Sequence, residues 1–507
     1  MSVPLSLLLF AAVTNDGDQV VRVQTPTPED ADSVQGLGLD VWTEGSGGLW
    51  LDVRLKAGEQ ALLDLTGLDY SVRAYDLGPA VEAERLRLSG PIVHGGMPPE
   101  DFFSDYAPIE ELEAHLESLA ALRPDLVAAT SPGDSFDGRP LRVLQISAAA
   151  KDAPVVLING GQHAREWISI AATTCLADRL VRDADSPRVA AALDQVRFVV
   201  FPVVNPDGYA HTWATDGDRF WRKNRRPPEG VDLNRNFPVA FGGPGASGNP
   251  KAGNYHGNAA FSEPEAAAIR DLVDGLDPLL ALVDVHAYGQ LVLYPWGFEL
   301  DPAPDDDILA PAAQALADGM GAPWATDYVA IPGAGLYPAA GNIMDWAYGE
   351  RGAYAYGIEL RPDPETKPPF GFVLPPEDIL PVCDELFEGV MGLTELIAEV
   401  APPGAGDDGG ASGGDGTSSS TGEPPVSDGT EGGDSSSSSG GLSSGTGGGT
   451  GSTPLGSTGA PNGTSGSGST GEDATAADSD AGCGCTSGGP GSAAMLWGLL
   501  LFVRRRR

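Results

Sequence analysis

Short apolar runs alternate with polar segments over residues 19 to 77 of the chain. Runs rich in Val, Leu and aromatic residues predict strands, and the polar stretches between them predict helices or turns. The predicted strands are Val20–Val23, Leu39–Trp42, Leu49–Arg54 and Tyr70–Tyr75. A helix is predicted over Pro79–Leu88. Residues 15–95 are therefore expected to form a small α/β sandwich that a connecting helix joins to the rest of the chain.

Residues 96–402 show longer helical patterns with buried strands between them. The helix predicted over Ile109–Leu122 places its aliphatic residues on one face, and a second long helical run covers Pro376–Val400. The apolar runs Val155–Ile158 and Leu279–Val285 predict strands that are covered on both sides. Strands and helices in alternation predict one α/β domain with a mixed, mostly parallel central sheet flanked by helices.

The end of the chain has a different composition. Gly, Ser, Thr and Asp dominate residues 403–482, which predicts a disordered linker. Residues 483–507 begin with Cys483-Gly484-Cys485, continue into a short apolar segment and end in four arginines. This order resembles the tripartite tails of myxobacterial surface proteins and predicts a sorting signal that anchors the protein at a membrane or cell surface. The apolar segment is shorter than the roughly 20 residues that span a bilayer, and a poorly ordered amphipathic tail is the alternative.

The start of the chain and the overall charge both indicate an exported protein. Val3–Val13 is nearly all apolar and is followed by polar residues, so residues 1–14 are predicted to be a signal peptide. The formal net charge of −41 argues against nucleic acid as a partner and, through self-repulsion, favours a soluble monomer. Cys175 and Cys383 lie on predicted helices, and the sequence leaves open whether they are free thiols or a pair.

One short motif suggests a metal site. His163 and Glu166 form an H-x-x-E motif directly after the strand Val155–Ile158, where Gly160-Gly161 breaks the strand before a predicted helix. A catalytic zinc takes three protein ligands and leaves a position for water. His286 ends the apolar run Leu279–Val285, and the end of a strand in an open α/β sheet is a common place for chemistry.

The other histidines are weaker candidates for the third ligand. Three lie in polar or Gly/Pro-rich loop sequence, and His115 is predicted on the exposed side of its helix; the three are His94, His211 and His256. His163, Glu166 and His286 are therefore the predicted ligands of one Zn²⁺ ion.

Eight segments in order make the chain resemble the zinc metallocarboxypeptidases of the carboxypeptidase A/B and bacterial carboxypeptidase T type. They cover roughly residues 98 to 402. The segments are His163-Ala-Arg-Glu166, Asn205-Pro-Asp-Gly-Tyr209, Trp221-Arg-Lys-Asn-Arg225, Asp232-Leu-Asn-Arg-Asn236, His286-Ala-Tyr288, Tyr294-Pro-Trp-Gly297, Tyr337 followed by Asp345-Trp346, and Glu359-Leu-Arg361.

The resemblance implies a role for each site residue in removing the last residue of a peptide or protein. Glu359 corresponds to the general base, and Arg225 to the residue that stabilises the oxyanion. Substrate contacts are implied for Arg165, Asn234, Arg235, Tyr288 and Tyr337, among which Arg235 would clamp the terminal carboxylate. Asp232 corresponds to a carboxylate that orients a ligand histidine.

The preference for the last substrate residue depends on the floor of the specificity pocket. Met344 takes that place by alignment, with Gly297 and Ala339 beside it. An apolar floor favours Phe, Tyr, Leu or Met. Asp284 lies two residues before His286, and if it reached the pocket it would favour Lys or Arg instead.

The N-terminal sandwich resembles the activation domain that precedes such carboxypeptidases. The chain is therefore interpreted as a zymogen that an activating protease cleaves between Arg85 and Phe103; an unrelated small domain is the alternative. The leading hypothesis is a secreted zinc exopeptidase. The two other hypotheses are a peptidoglycan stem-peptide hydrolase and an inert surface-binding protein on the same scaffold.

Overall fold

The computed structural model describes residues 15–44, 49–89, 102–214, 217–366 and 371–397. Contacts divide the chain into Met1–Gly414 and Asp415–Arg507, and every described residue belongs to the first unit. The predicted signal peptide, the linker, the C-terminal signal and His94 lie outside the described residues, as does most of the predicted cleavage segment.

Residues 15–89, here called the N-terminal domain, form a four-stranded antiparallel sheet with helices, as the pattern predicts. The sheet has the order β2-β3-β1-β4. The elements are β1 (Gln19–Gln24), α1 (Pro28–Gly36), β2 (Asp40–Glu44), β3 (Trp50–Leu55), α2 (Gln60–Asp64), β4 (Tyr70–Ala74) and α3 (Gly78–Leu88). Thr27 caps α1 in a capping box with Asp30, which satisfies backbone donors at the start of the helix.

The apolar residues of the N-terminal domain lie on two sides. Val21, Val23 and Val53 belong to its own small core. Trp42 and Val81 instead join the core of the larger domain, so the N-terminal domain packs onto it through buried apolar surface. Burial of this kind is the main favourable term in domain docking.

The described residues of 102–397, here called the larger domain, are built around a second sheet. In the part of the chain that the structure describes, this sheet has eight strands in the order β11-β10-β12-β9-β7-β8-β6-β5. Its elements are α4 (Ile109–Leu122), β5 (Val127–Thr130), β6 (Val143–Ile146), β7 (Val155–Gly160), α5 (Trp167–Arg182), α6 (Pro187–Gln195), β8 (Arg197–Phe201), α7 (Pro206–Trp213), α8 (Pro264–Asp274), β9 (Leu279–Ala287), β10 (Leu291–Tyr294), α9 (Asp306–Gly321), β11 (Val329–Pro332), α10 (Gly333–Leu336), α11 (Ile343–Arg351), β12 (Tyr354–Leu360) and α12 (Ile379–Ile397).

The centre of this sheet is parallel and its edges are partly antiparallel. β7 pairs in parallel with β8 and β9, and β9 pairs in parallel with β12. β10 runs antiparallel to β12, and β5 and β6 are also antiparallel. All residues of β7 and β9 are buried, as expected for central strands with helices on both faces. The predicted α/β fold with a mixed central sheet is confirmed.

Two helices are joined covalently, which settles the question that the sequence left open. Cys175 on α5 and Cys383 on α12 form a disulfide with a Cα–Cα distance of 5.9 Å. Both residues are buried, and the bond links positions 208 residues apart in the chain.

Two histidine predictions were wrong. His115 is buried on α4, where its ring stacks on Phe102 at 3.9 Å and its Nε2 lies 2.9 Å from Asp178 Oδ1. Its burial follows from a partner on α5, a contact that helical periodicity alone does not reveal. His211 lies within the helix α7 and not in a loop.

Among the described helices, none combines the length and hydropathy needed to cross a membrane.

Candidate active site

Three predicted metal ligands converge at the carboxyl ends of β7 and β9. Nδ1 of His163 lies 2.8 Å from Glu166 Oε1 and 3.0 Å from Nδ1 of His286, and the latter atom is 3.1 Å from Glu166 Oε2. All three side chains are buried. Two imidazole nitrogens and one carboxylate, each able to point at a single centre, are a donor set that suits Zn²⁺.

A glycine turn brings the H-x-x-E motif to this position. Gly161 has a φ of +65°, which favours glycine, and a Cβ on Gly160 would lie 2.6 Å from Thr173 Oγ1. The chain therefore leaves β7 close against α5. His163 and Glu166 fall in the short connection before Trp167, where α5 begins.

A carboxylate lies behind each candidate ligand histidine. Nε2 of His163 is 3.2 Å from Asp232 Oδ1, and Nε2 of His286 is 2.6 Å from Asp284 Oδ2. Such partners fix the orientation of an imidazole and leave its other nitrogen for a metal. Asp232 therefore lies next to a ligand histidine, as its predicted role requires, and Asp284 lies in the equivalent position behind His286, which the sequence reasoning missed. The spacing of two residues along one strand was the available signal, since such residues share a face.

Electrostatic interactions keep the carboxylate ligand ionised. Burial alone would raise the pKa of Glu166, but His163 and His286 outweigh it and hold that pKa well below its usual range. Burial would likewise raise the pKa of Asp232, yet Arg222 and His163 hold it low. Both carboxylates are therefore anionic in the folded protein, as a cation site requires.

Glu359 lies opposite a candidate metal ligand. In the parallel pairing of β12 with β9, Glu359 is the register partner of His286. Burial raises the pKa of Glu359 to about 8; Glu166 adds to this rise and His286 opposes it. A carboxyl group with a pKa near neutrality is suited to accept and return a proton.

The structure does not bring Arg225 to this cavity. Its guanidinium lies over the ring of Trp221, 4.5 Å from the ring centroid. Arg222 lines the cavity instead: its Nη1 is 3.8 Å from Glu166 Oε1, and its Nη2 donates to Asp232 Oδ2 at 2.9 Å. Asp232 holds Arg222 towards the ligands, so the geometry favours Arg222 over Arg225 for stabilising negative charge.

One cavity beside the ligands is lined by five of the remaining predicted residues: Asn234, Arg235, Tyr337, Met344 and Glu359. Its wall contains both polar and apolar residues. The lining residues are His163, Arg222, Asn234, Arg235, Asp284, His286, Leu293, Gly297, Gly333, Leu336, Tyr337, Ala339, Asn342, Met344, Gly357 and Glu359. Met344 is 5% exposed. It packs closely against Gly333, where a Cβ would lie 2.9 Å from Met344 Cε. The sequence reasoning did not identify Leu293, Gly333 or Gly357 as part of this wall.

The carboxylate-binding candidates line the same cavity as the ligand histidines. Two backbone carbonyl groups hold the guanidinium of Arg235: its Nε donates to Gly245 O at 3.0 Å and its Nη1 donates to Asn234 O at 2.8 Å. Its guanidinium carbon is 5.9 Å from the centroid of the Tyr337 ring. The segment before Tyr337 forms the short helix α10.

Arg165 and Tyr288 lie on the other side, against the N-terminal domain. Nη1 of Arg165 donates to Asp40 Oδ1 at 2.6 Å, and Nη2 donates to Val41 O at 3.0 Å. Tyr288 is buried and lines a second cavity together with Trp42, Glu166 and Glu359. Residues of β2 thus occupy the region where Arg165 and Tyr288 are predicted to contact the substrate.

The fold and this donor set define a metallohydrolase, and comparisons with known proteins specify the class. A family described as zinc carboxypeptidase matches residues 112–389. Rat carboxypeptidase A1 is 31% identical over 415 residues, 77% of this chain and 97% of the relative. Bovine carboxypeptidase B is 32% identical over 408 residues, 76% of this chain and 94% of the relative.

Solved structures agree with the sequence comparisons. Carboxypeptidase A from Helicoverpa armigera aligns with a TM-score of 0.69 at 28% identity, over 76% of this chain and all but 1% of its own. The chain belongs to the zinc carboxypeptidase family. It is a zinc metallocarboxypeptidase, as the sequence predicted.

Proposed function

We propose that the protein removes single C-terminal residues, preferably apolar or aromatic ones, from peptides, and that it is exported as a zymogen. The observation that carries this proposal is the single cavity that joins His163 and His286, Arg235, and the apolar residue Met344. A metal centre, a carboxylate clamp and an apolar pocket within one cavity fit the end of a peptide chain.

Zinc, when bound by His163, Glu166 and His286, supplies a polarised carbonyl and a water of lowered pKa. Glu359 is placed to take the proton of that water and deliver it to the leaving amine. Arg222 presents a half-buried guanidinium to the charge that develops on the carbonyl oxygen.

The other residues choose and hold the substrate end. Arg235 binds the terminal carboxylate, with Asn234 and Tyr337 beside it. The last side chain enters the part of the cavity that Met344, Leu293 and Gly357 line. Apolar C-termini are favoured because the described residues around Met344 present no free charge: Asp284 lines the cavity, but four hydrogen-bonding groups already surround its carboxylate.

The zymogen proposal is supported by what the N-terminal domain covers. Leu39, Val41 and Trp42 line a cavity together with Arg235 and Tyr337, in front of the proposed carboxylate site. Trp42 packs on Phe220 at 4.7 Å and on Phe372 at 5.0 Å. Cleavage after α3 by an activating protease would release this cover.

Export is supported by the disulfide between Cys175 and Cys383, because such bonds persist mainly in oxidising compartments. The peptidoglycan hypothesis remains the alternative. The apolar pocket and the Arg235 clamp favour ordinary peptide C-termini over it.

The test measures release of C-terminal Phe, Leu, Lys and Arg from N-blocked dipeptides after limited proteolysis of the full chain. We expect release of Phe and Leu, lost on chelation of zinc and restored by added zinc. Glu359→Gln should retain zinc and lower kcat by about 10²–10⁴-fold. The proposal fails if peptidoglycan fragments are cleaved and these dipeptides are not.

A further inference from the structure

Asp284 is a buried carboxylate with an unusual set of partners. It is 1% exposed and lies on β9, two residues before His286. Its Oδ1 accepts hydrogen bonds from Asn159 Nδ2 at 2.6 Å and Gln162 Nε2 at 2.7 Å. Its Oδ2 lies 2.6 Å from His286 Nε2 and 3.1 Å from Asn234 Nδ2.

The partners of Asp284 differ in charge from those of Asp232, the carboxylate that lies behind His163. Asp232 also faces the cation Arg222, which neutralises part of its charge. The donors to Asp284 other than His286 are neutral amides. The negative charge of Asp284 is therefore directed mainly at the imidazole of His286.

The sheet register explains why the amides are where they are. Asn159 is the register partner of Asp284 in the pairing of β7 with β9, and Gln162 directly precedes His163. Both donors thus belong to the segment that carries His163 and Glu166. The carboxylate links the two strands whose ends hold the candidate ligands.

We propose that Asp284 is a positioning residue for zinc: it holds the proton of His286 on Nε2, directs Nδ1 to the metal, and ties the β9 ligand to the β7 segment. The inference rests on the ligand set proposed above. It goes beyond that set because Asp284 reaches the metal only through His286.

The experiment measures zinc affinity of the full chain by competition with a chromophoric chelator. Asp284→Asn should bind zinc about 10- to 100-fold more weakly than the unsubstituted chain. The matched control is Asp178→Asn, which alters a buried carboxylate beside His115, outside the site. That control should leave zinc affinity within about twofold, as expected where no ligand is touched.

Two further measurements exclude a purely structural effect. Thermal unfolding of the zinc-free chains should show similar losses for Asp284→Asn and Asp178→Asn, and the visible spectrum of the Co²⁺-loaded chain should change only in the former. Gln162→Met removes one donor and keeps the carboxylate. Gln162→Met should weaken zinc binding several-fold, and it tests the role of Asp284 even if Asp284→Asn does not fold.

The outcomes distinguish this inference from the ligand assignment. His286→Ala with normal zinc affinity would overturn the assignment of the ligands themselves. Loss of zinc in His286→Ala, together with normal affinity in Asp284→Asn and Gln162→Met, would leave the ligands in place and overturn the role of Asp284.

Discussion

Asp40 of the N-terminal domain and Arg165 of the larger domain form a partly buried ion pair, 2.6 Å between Oδ1 and Nη1. Arg165 directly precedes Glu166 in the chain. Burial alone would raise the pKa of Asp40, but Arg165 and Arg54 hold that pKa below its usual range. The carboxylate is therefore ionised, and it fixes β2 against the candidate active site.

Asp40→Asn should weaken this docking and raise the peptidase activity of the uncleaved chain. Loss of one partner from a buried charge pair commonly costs about 2 kcal/mol or more, which corresponds to more than tenfold in an equilibrium. The measurement is hydrolysis of an N-blocked dipeptide ending in Phe, before and after limited proteolysis. The control, Asp64→Asn, alters an exposed carboxylate of the same domain. Equal activity of the uncleaved Asp40→Asn and unsubstituted chains would count against inhibition by β2.

Arg222→Ala and Arg225→Ala should differ strongly in kcat. Removing a donor to developing negative charge lowers kcat by about 10²–10³-fold, and we expect this loss for Arg222→Ala. Arg225 lies over Trp221, so Arg225→Ala should cost less than about threefold, as for a residue away from the reacting atoms. Steady-state kinetics of the processed enzyme decide between them. The reverse order would restore the assignment made from the sequence.

Gly357→Val should narrow the pocket for the last substrate residue. A Cβ at this position would meet Leu293 at an ordinary contact distance of 3.5 Å, so the backbone tolerates a side chain there. The added methyl groups would occupy space above Met344, and kcat/KM for C-terminal Phe should fall about tenfold, within the range seen for one or two methylenes. Activity on C-terminal Ala should change much less. Gly133→Ala, remote from the cavity, is the control, and equal losses for Phe and Ala would contradict a size effect.

Glu265 should make stability depend on pH. Burial, with a contribution from Glu263, raises its pKa to about 7 from a model-compound value of 4.5, and Asn224 donates to both carboxylates. The folded state then binds more protons than the unfolded state between these values, so its contribution to stability is present below pH 4.5 and is lost as the pH rises to about 7.

Urea unfolding of zinc-free protein at pH 4.5 and 7.5 tests this. The free energy of unfolding of the unsubstituted chain minus that of Glu265→Gln should fall by about 3 kcal/mol between these two pH values. Glu110→Gln, at an exposed position, serves as the control. A difference that stayed constant with pH would show that Glu265 titrates normally.

The elements that the sequence predicted best are those with local signals. Ile109–Leu122 is a helix with the predicted bounds, since its apolar face is readable from spacing alone. His163 and His286 are brought together because each lies at the carboxyl end of an apolar strand, and such strands occupy the centre of a parallel sheet.

The residues whose positions the sequence analysis predicted wrongly depend on partners far along the chain. Three arginines fall within the stretch 222–226, and only the position of Asp232 after the intervening turn decides that Arg222 faces the ligands. The burial of His115 depends on Asp178 in another helix. Tertiary contacts of this kind leave no periodic trace in the sequence.

The pairing of β12 with β9 makes hydrolysis a sensitive report of correct folding. Side chains alternate between the two faces of a strand, so a slip of one residue would turn Glu359 away from His286. A compact chain with the right secondary structure but the wrong register of β12 against β9 would therefore show no activity. Recovery of turnover after denaturation would count only those molecules in which the last strand of the sheet has returned to its native alignment.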